Sequence, residues 1–382
     1  MKGLKKIFTI IISFVIIVTS SATISAMEVN KKSELDSYVI NKPYEFPITP
    51  DDPEWTDFDK KEDMLKVCQI PEDILKNMTT EALLQTVLNY PFIADYYAFD
   101  CYEDAAKTFS EDFNGFRELY SRKDLTERLL NKYKTTSISS SEISVKTATK
   151  DISKSCESDF FNLQNLEFLI AYDQVENDHY TKAEAEKLDD LLKKKMSERD
   201  ENKDLTENSE VYLNFMAQVQ TKVFAVNKKT TYATVKTPKG SSVKVNKISP
   251  DLSQKEKNAI NNYYDKRYPN ATRKASATTN FNCHSYAWYS QNTRTNKYWM
   301  NDPSKYWSDG SYKKFTDLRP RVGFKVYYYN GNHSAIVKAI KVIDGAQTFW
   351  YQSKWGSAGV YYHFDNYCPY RSGNRFYCKS AT

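Results

Sequence analysis

Residues 280–290 read NFNCHSYAWYS and place Cys283 directly before an apolar run with helical spacing. Asn282 is of a residue type that caps helices, so the pattern predicts a helix whose first residue is Cys283. A thiol in the first turn lies at the positive end of the helix dipole and beside free backbone N–H groups, which favours the thiolate and lowers the pKa. The same N–H groups are suited to stabilise an oxyanion. The stretch therefore predicts a nucleophilic cysteine.

A second stretch, residues 330–337, reads NGNHSAIV and predicts a hairpin that leads into a strand. Asn330-Gly331 is a strong signal for a two-residue turn. Side chains alternate along a strand, which gives one face with His333, Ala335 and Val337 and another with Ser334 and Ile336. A cysteine on a helix start and a histidine on a later strand are the two halves of a thiol–imidazole pair. Cys283 and His333 are the candidate nucleophile and base.

The third stretch, residues 348–356, reads TFWYQSKWG and offers a polar partner for the imidazole. An imidazole base needs such a partner to fix its tautomer, and Gln352 is the candidate. Ser353 and Lys354 remain alternatives.

The expected strand register places Gln352 too far from His333 to orient its ring. A symmetric hairpin about Asp344-Gly345 pairs Gln352 with Val337, which leaves it roughly 13 Å from His333. A bulge or an asymmetric loop is needed to close that gap.

Together, the stretches NCHSYAW, HSAIV and YQSKWG resemble the papain-like hydrolases of the CHAP and NlpC types. The resemblance covers about residues 255–382. It implies an α+β papain-like fold in which a helix bears the cysteine and packs on an antiparallel sheet. By position, Cys283 matches the nucleophile and His333 the base, and Gln352 falls where a third polar residue usually stands. Asn282 takes the place of the Asp that often precedes the nucleophile.

Two positions depart from the family pattern. His284 follows the cysteine where a small residue is common, and Ala277 stands where papain has its oxyanion glutamine. Oxyanion stabilisation is therefore left to backbone N–H groups, with Asn282 and His284 as positioning residues. The activity that the resemblance implies is cleavage of amide bonds in peptidoglycan peptides or proteins by a secreted enzyme, without a cofactor.

Other interpretations of the same residues stay open. Cys283 alone is also consistent with a buried apolar cysteine. A metal site built from Cys283, His284, His333 and His363 is not predicted, because no pair has a spacing typical of zinc motifs. In a second interpretation, the chain is a catalytically silent protein of the cell surface that binds a partner through its helical region. A helical region that covers the cleft as a pro-region is a third possibility.

The beginning of the chain has the pattern of a secretory signal peptide, assigned to residues 1–26. Lys2, Lys5 and Lys6 precede an apolar run that is too short for a comfortable membrane span, and small residues follow. The full chain has a net charge of +5, and removing these three lysines and no acids leaves +2. That charge gives no reason to expect nucleic acid as a partner. We expect a secreted protein, extracellular or associated with the cell wall, with no membrane segment after cleavage. The oligomeric state stays open.

The remainder divides by composition. Residues 27–59 are polar and rich in proline, which predicts an extended leader, and residues 60–229 predict a helical region with a Ser/Thr-rich linker at 135–155. Seven of the ten glycines and five of the six tryptophans lie at or beyond Trp288, so an antiparallel sheet is expected there. The boundary is placed near 230, with the hydrolase domain at 230–382.

Local signals fix several helix starts and one turn. The expected caps are Thr79, Ser121 with Asp124, Thr181 with Glu184, and Ser253 with Glu256. Pro238, Lys239 and Gly240 suit a type I turn between two strands. Six cysteines are present, and a disulfide between Cys368 and Cys378 is one of two open outcomes, since connectivity cannot be derived from sequence.

Overall fold

A helical region followed by antiparallel sheets makes the chain a mixed α+β protein, as expected. The computed structural model describes residues 38–136, 152–176, 180–201, 231–249, 251–315, 320–329, 332–343, 345–371 and 373–381. The signal peptide, the start of the leader, most of the Ser/Thr-rich linker and the turn residues Asn330, Gly331 and Asp344 lie outside these ranges. Within them, every helix is too short or too polar to cross a bilayer.

Eight α-helices of the described chain precede the sheets. They are α1 Lys61–Val67, α2 Glu72–Asn77, α3 Thr80–Leu88, α4 Tyr102–Asp112, α5 Asn114–Tyr120, α6 Leu125–Thr135, α7 Ile152–Glu176 and α8 Lys182–Glu201. Short 3₁₀ helices cover Pro53–Asp57 and Ile93–Ala98. Helix α9, Gln254–Arg267, and the short α10, Lys305–Ser308, lie among the strands.

Most of the predicted caps are confirmed. The Thr79 side chain accepts the N–H of Ala82, and Ser253 with Glu256 forms a complete capping box on α9. Thr181 and Glu184 exchange the same bonds at α8. The capping box at Ser121 is wrong. Helix α6 begins at Leu125, and the Asp124 carboxylate instead accepts a hydrogen bond from Thr80 at 2.6 Å, because tertiary packing brings α3 within reach.

The strands form two antiparallel sheets. They are β1 Thr231–Lys236, β2 Ser242–Lys247, β3 Thr272–Ala275, β4 Tyr312–Phe315, β5 Lys325–Tyr328, β6 His333–Ile343, β7 Ala346–Lys354, β8 Val360–Phe364 and β9 Arg375–Ser380. Strands β1 and β2 form a hairpin through the expected turn, in which Gly240 donates to the Thr237 carbonyl at 2.9 Å. The larger sheet has the order β3-β8-β7-β6-β5-β9-β4. Strand β6, which begins at His333, is therefore central.

The two faces of the larger sheet bury different clusters. The face that bears Ile336 packs on the segment around Cys283, through Phe281, Tyr286 and Trp288. The opposite face buries a separate cluster that includes Ala335, Val337 and Tyr351. Alternation along β6 is therefore as predicted.

The helical region and the sheet-bearing part share one hydrophobic cluster. It contains residues from the helices before 200 and from α9 and the segment 355–370. At its centre, the fully buried Asp95 carboxylate accepts hydrogen bonds from Tyr268 at 2.5 Å and Tyr263 at 3.4 Å. The Lys61 ammonium lies 3.8 Å away. Burial raises the pKa of Asp95 to about 6, although the positive charge of Lys61 acts to lower it. These contacts fix α9 on the helical region.

Cys368 and Cys378 are both free, so the possible disulfide between them is not formed. The reason is that they belong to different clusters. Cys368 packs with the helical region, where its thiol lies 3.6 Å from the Tyr370 carbonyl, whereas Cys378 packs on the sheet face that carries Ile336.

We expect Asp95→Ala to lower the free energy of unfolding by about 3 kcal/mol, because it removes the acceptor of the buried Tyr268 hydroxyl and one of the two carboxylates beside the buried Lys61 ammonium. The matched control is Asp63→Ala, which removes a largely exposed pair with Lys66 and is expected to lower it by less than about 0.5 kcal/mol. Urea unfolding of both variants at pH 7 measures the difference. Equal losses would show that Asp95 does not join the two parts.

Candidate active site

Asn282 caps the helix that bears Cys283, as the sequence predicts. Its Oδ1 accepts the N–H of Ser285 at 3.1 Å, and the helix then widens into a π-helix, Ser285–Tyr289. Oδ1 also accepts the N–H of Met300, while Nδ2 donates to the Met300 carbonyl at 2.8 Å and to Asp100 at 2.7 Å. The amide therefore uses both donors and both acceptor sites. Asn282 is therefore a positioning residue, and its side chain has no N–H left to bind an oxyanion.

The Cys283 sulfur lies against the backbone at the start of β6. It is 4.0 Å from the Asn332 carbonyl oxygen, and the backbone N–H groups of Ser334 and His284 point at it. The side chain is only 1% exposed. The His284 N–H belongs to the first turn of the helix, where the sequence predicts such donors, whereas the Ser334 N–H comes from β6.

The predicted lowering of the Cys283 pKa is wrong for this conformation. Burial raises the pKa of the thiol well above its ordinary value, and the Asp100 carboxylate raises it further. The N–H groups of Ser334 and His284 act in the opposite direction but are outweighed. Desolvation of a charge deep in the protein exceeds the effect of one short helix. Cys283 is therefore a neutral thiol here.

His284 takes part in a closed hydrogen-bond network. Its Nδ1 lies 2.8 Å from the Ser334 hydroxyl and its Nε2 lies 3.2 Å from Asn332 Oδ1. Trp288 Nε1 donates to the same hydroxyl and Tyr327 donates to the same Oδ1. Since Asn332 Oδ1 only accepts, we assign the proton of the ring to Nε2, and Ser334 donates to Nδ1. Burial lowers the pKa of His284 to about 4, so the ring is neutral and its one lone pair is occupied.

His333 lies at the first position of β6, where the sequence places it. Its ring stacks on Tyr370 with centroids 3.5 Å apart, and it is 1% exposed. Both ring nitrogens lack a hydrogen-bond partner within the described chain. Burial lowers the pKa of His333 well below its ordinary value, with smaller effects from His363 and His284. This histidine is neutral and its lone pair is unused.

The structure brings Cys283 and His333 to adjoining positions without a hydrogen bond between them. The sulfur contacts the residues on either side of His333, namely Asn332 and Ser334. Because the Ser334 side chain points to the helix, alternation directs the His333 ring to the other face of the sheet, where Tyr370 stacks on it. The backbone of His333 therefore lies beside the sulfur of Cys283, but the imidazole ring has to rotate before it reaches the thiol.

Gln352 is not brought to His333. The predicted register is wrong by one residue, because a bulge between Val337 and Ala339 pairs Gln352 with Ile336. Gln352 therefore projects from the helix-bearing face and donates to the Tyr286 hydroxyl at 2.5 Å. It holds the helix on the sheet and does not orient the imidazole.

Of the two alternatives to Gln352, Ser353 lies on the same face as His333. Its hydroxyl is 3.0 Å from His363 Nε2, and His363 Nδ1 donates to the Phe364 carbonyl. Lys354 is buried on the other face and donates to the carbonyls of Thr278 and Ala358. Neither contacts the His333 ring nitrogens in this conformation.

Asp100 and Tyr370 are site residues that the sequence analysis missed. Asp100 belongs to the helical region, 182 residues before Asn282, which it contacts. Tyr370 lies between β8 and β9 and covers His333. Neither stands in a motif, so only the tertiary contacts identify them.

One group in the described chain has the composition of a metal site. Ligand atoms of Asp100, Cys283 and His284 lie within 4.8 Å of one another. Both His284 nitrogens are engaged, by Ser334 and Asn332, so binding a metal requires that network to break. The expectation of no metal remains a prediction.

A cleft of about 440 Å³ runs along residues 275–281, which lead into the helix of Cys283. Lys257, Arg294 and Lys297 line it, and Arg294 and Lys297 are exposed. Its acid, Asp251, is bound by Lys257 at 2.6 Å. The cleft therefore presents cationic side chains along the segment that precedes Cys283 in the chain.

Comparisons of the chain with protein-family models, with curated proteins and with solved structures give no match.

We expect the stability of the fold to decrease between pH 7 and pH 5. Burial lowers the pKa of His284 and His363 to about 4 and that of His333 well below 6.5, so the unfolded chain takes up protons that the native chain does not. Each histidine then lowers the free energy of unfolding by about 2 kcal/mol over this range. Asp95 offsets about 1 kcal/mol, because its raised pKa gives the native state the extra proton.

Urea unfolding at the two pH values measures this decrease. His363→Gln should remove about two fifths of it, since one of three titrating rings is lost while the offset from Asp95 remains. A midpoint that is the same at both pH values would contradict the burial of three neutral imidazoles.

Proposed function

We propose that the chain is a secreted cysteine hydrolase that cleaves amide bonds, with Cys283 as nucleophile and His333 as general base. The observation that carries the proposal is the position of the sulfur against Asn332 and Ser334, on either side of His333. Of the three histidines in the described ranges, His284 and His363 have both nitrogens engaged, whereas both nitrogens of His333 are unpartnered. His333 has the lone pair that a base requires.

The reaction starts from a neutral thiol and a neutral imidazole. As the Cys283 sulfur attacks the carbonyl carbon, an imidazole nitrogen of His333 takes the thiol proton, and a C–S bond forms. In this proposal the backbone N–H groups of His284 and Ser334, which point at the sulfur, bind the oxyanion of the tetrahedral intermediate. The proton then passes to the leaving amine as the C–N bond breaks. Water, deprotonated by His333, hydrolyses the acyl-enzyme and restores the thiol.

His333 needs to rotate off Tyr370 for this reaction. Catalytic hydrogen bonds are often long or misaligned in free enzymes and tighten only when substrate binds. The rotation keeps the backbone contacts of the sulfur unchanged, because they involve only main-chain groups of Asn332, Ser334 and His284.

The proposed substrates are peptidoglycan peptides or proteins, on the basis of the resemblance to CHAP and NlpC hydrolases. The cationic cleft along residues 275–281 supports a peptide with carboxylate groups, which Arg294 and Lys297 are able to bind. The expected signal peptide would deliver the protein to such substrates.

The second candidate function is a catalytically silent protein of the cell surface that binds through its helical region. It is favoured by the burial of Cys283, which keeps the thiol protonated. Binding to cell walls without hydrolysis would support this candidate.

We expect Cys283→Ala to abolish hydrolysis of purified cell walls and of a denatured protein substrate, measured by release of new amino groups. Cys68→Ala is the control, because Cys68 is also a buried free thiol but lies in the helical region. Activity that survives Cys283→Ala would contradict the proposal.

The role of the base has a separate test. His333→Gln should lower kcat by about 10²–10⁴-fold, whereas His363→Gln, which removes a second buried ring from the same sheet face, should retain activity. The two kcat values are measured with the same substrate at pH 7.5. Similar losses in both variants would assign His333 a structural role.

A further inference from the structure

A segment of the helical region lies directly over the candidate nucleophile. Residues 97–100, here named the strap, comprise the end of the 3₁₀ helix Ile93–Ala98 and the first two residues of its connection to α4. The Asp100 carboxylate accepts a hydrogen bond from Asn282 Nδ2 at 2.7 Å and has an oxygen within 4.8 Å of the Cys283 sulfur. The strap therefore occupies the space in front of the first turn of the helix.

The strap is also bound by the segments that follow β7 and β8. The N–H of Ser357 donates to the Tyr97 carbonyl at 2.8 Å, and the Tyr370 hydroxyl donates to the Ala98 carbonyl. The rings of Phe99 and Tyr370 are 5.4 Å apart. Tyr370 is the ring that covers His333, so the strap contacts the surroundings of both candidate catalytic residues.

Gly356 shows how close this contact is. A Cβ at Gly356 would lie 2.4 Å from the Tyr97 carbonyl oxygen and 2.5 Å from the Ala98 carbonyl carbon. Only a residue without a side chain permits this approach. The strap therefore packs backbone to backbone on the candidate hydrolase domain.

Hydrogen bonds to α7 also hold the strap and the residue before it. The Tyr97 hydroxyl donates to Gln164 at 2.5 Å, and the neighbouring Tyr96 hydroxyl donates to Asn165 at 3.0 Å. These bonds are buried and do not involve the candidate catalytic residues.

The consequence is steric. A carbonyl carbon has to approach the sulfur to about 3–3.5 Å along an attack trajectory, and a side chain that is 1% exposed offers no such path. The Asp100 carboxylate also opposes formation of the thiolate.

We propose that residues 97–100 form an inhibitory strap that holds the enzyme inactive until the strap leaves Cys283. The inference rests on the proposed function, since it concerns access to the same nucleophile. Displacement of the strap opens a path to the sulfur and removes the carboxylate beside it. The helical region thereby acts as a built-in inhibitor.

The test uses the full chain and measures the rate at which iodoacetamide alkylates Cys283, by mass spectrometry of the peptide that contains it. Gly356→Ala pushes on the strap carbonyls and should accelerate alkylation about tenfold, by favouring local opening. Gly345→Ala is the matched control. Both glycines have a positive φ, +44° and +77°, but a Cβ at Gly345 meets nothing within 4 Å. Gly345→Ala should leave the rate unchanged.

Alkylation of Cys68, which is buried in the helical region, reports general unfolding in the same samples. If Gly356→Ala also exposes Cys68, Tyr97→Phe replaces it as the test variant. That change removes the bond to Gln164 without touching the sulfur, and it should accelerate Cys283 alkylation about threefold while Cys68 stays protected. Unchanged Cys283 alkylation in the folded variant, or native Cys283 that reacts as fast as in urea, would overturn the strap.

Amide hydrolysis by the same variants separates this inference from the proposed function. Faster alkylation together with faster hydrolysis supports both. Faster alkylation with no hydrolysis of cell walls or protein supports occlusion of Cys283 but overturns its role as the nucleophile of a hydrolase, and with it the inhibition. Hydrolysis that depends on Cys283 in the native chain, with no gain from Gly356→Ala or Tyr97→Phe, retains the enzyme and overturns the strap.

Discussion

The amide of Asn282 is the contact on which the rest of the site depends. It is fully buried, so each of its hydrogen-bonding positions needs a partner, and the four partners come from three parts of the chain. One bond starts the helix, two hold the segment at Met300, and one reaches Asp100. These bonds fix the start of the helix, the segment at Met300 and the strap relative to one another. Cys283 is the next residue after Asn282, so its position is fixed with them.

Burial sets the electrostatics of this site. The N–H groups near the sulfur would favour a thiolate in a hydrated cleft, but beneath the strap the cost of desolvation is larger. The same burial keeps His333 neutral. A neutral pair has no mutual attraction between ions, which agrees with the lack of a hydrogen bond between the two side chains. In the proposed mechanism, opening the site to solvent and substrate reduces the desolvation of the Cys283 thiol and of the His333 imidazole together.

His284 illustrates how a large polar residue next to Cys283 is accommodated. Its ring is neutral and stacks beside Tyr327, with ring centroids 5.6 Å apart, and its two nitrogens link the helix to Asn332 and Ser334. Asn332 has a φ of 41°, a left-handed conformation that asparagine tolerates better than most residues. The network thus orders the backbone that the sulfur contacts. The histidine beside Cys283 therefore serves as a structural support, and His333 remains the candidate base.

The sequence by itself determined the local elements: the cap at Asn282, the helix at Cys283, the strand that begins at His333 and the alternation of its faces. These depend on short-range hydrogen bonds and on the periodicity of the backbone, which neighbouring residues specify. The tertiary structure decided the rest. One bulged residue between Val337 and Ala339 moved Gln352 to the face opposite His333, and no local signal marks that bulge. The contact of Asp100 with Asn282 joins residues 182 positions apart, and the raised thiol pKa follows from that packing. Burial and long-range contact are properties of the assembled chain, so NFNCHSYAWYS specified where the thiol stands on its helix, and the fold decided its charge and its accessibility.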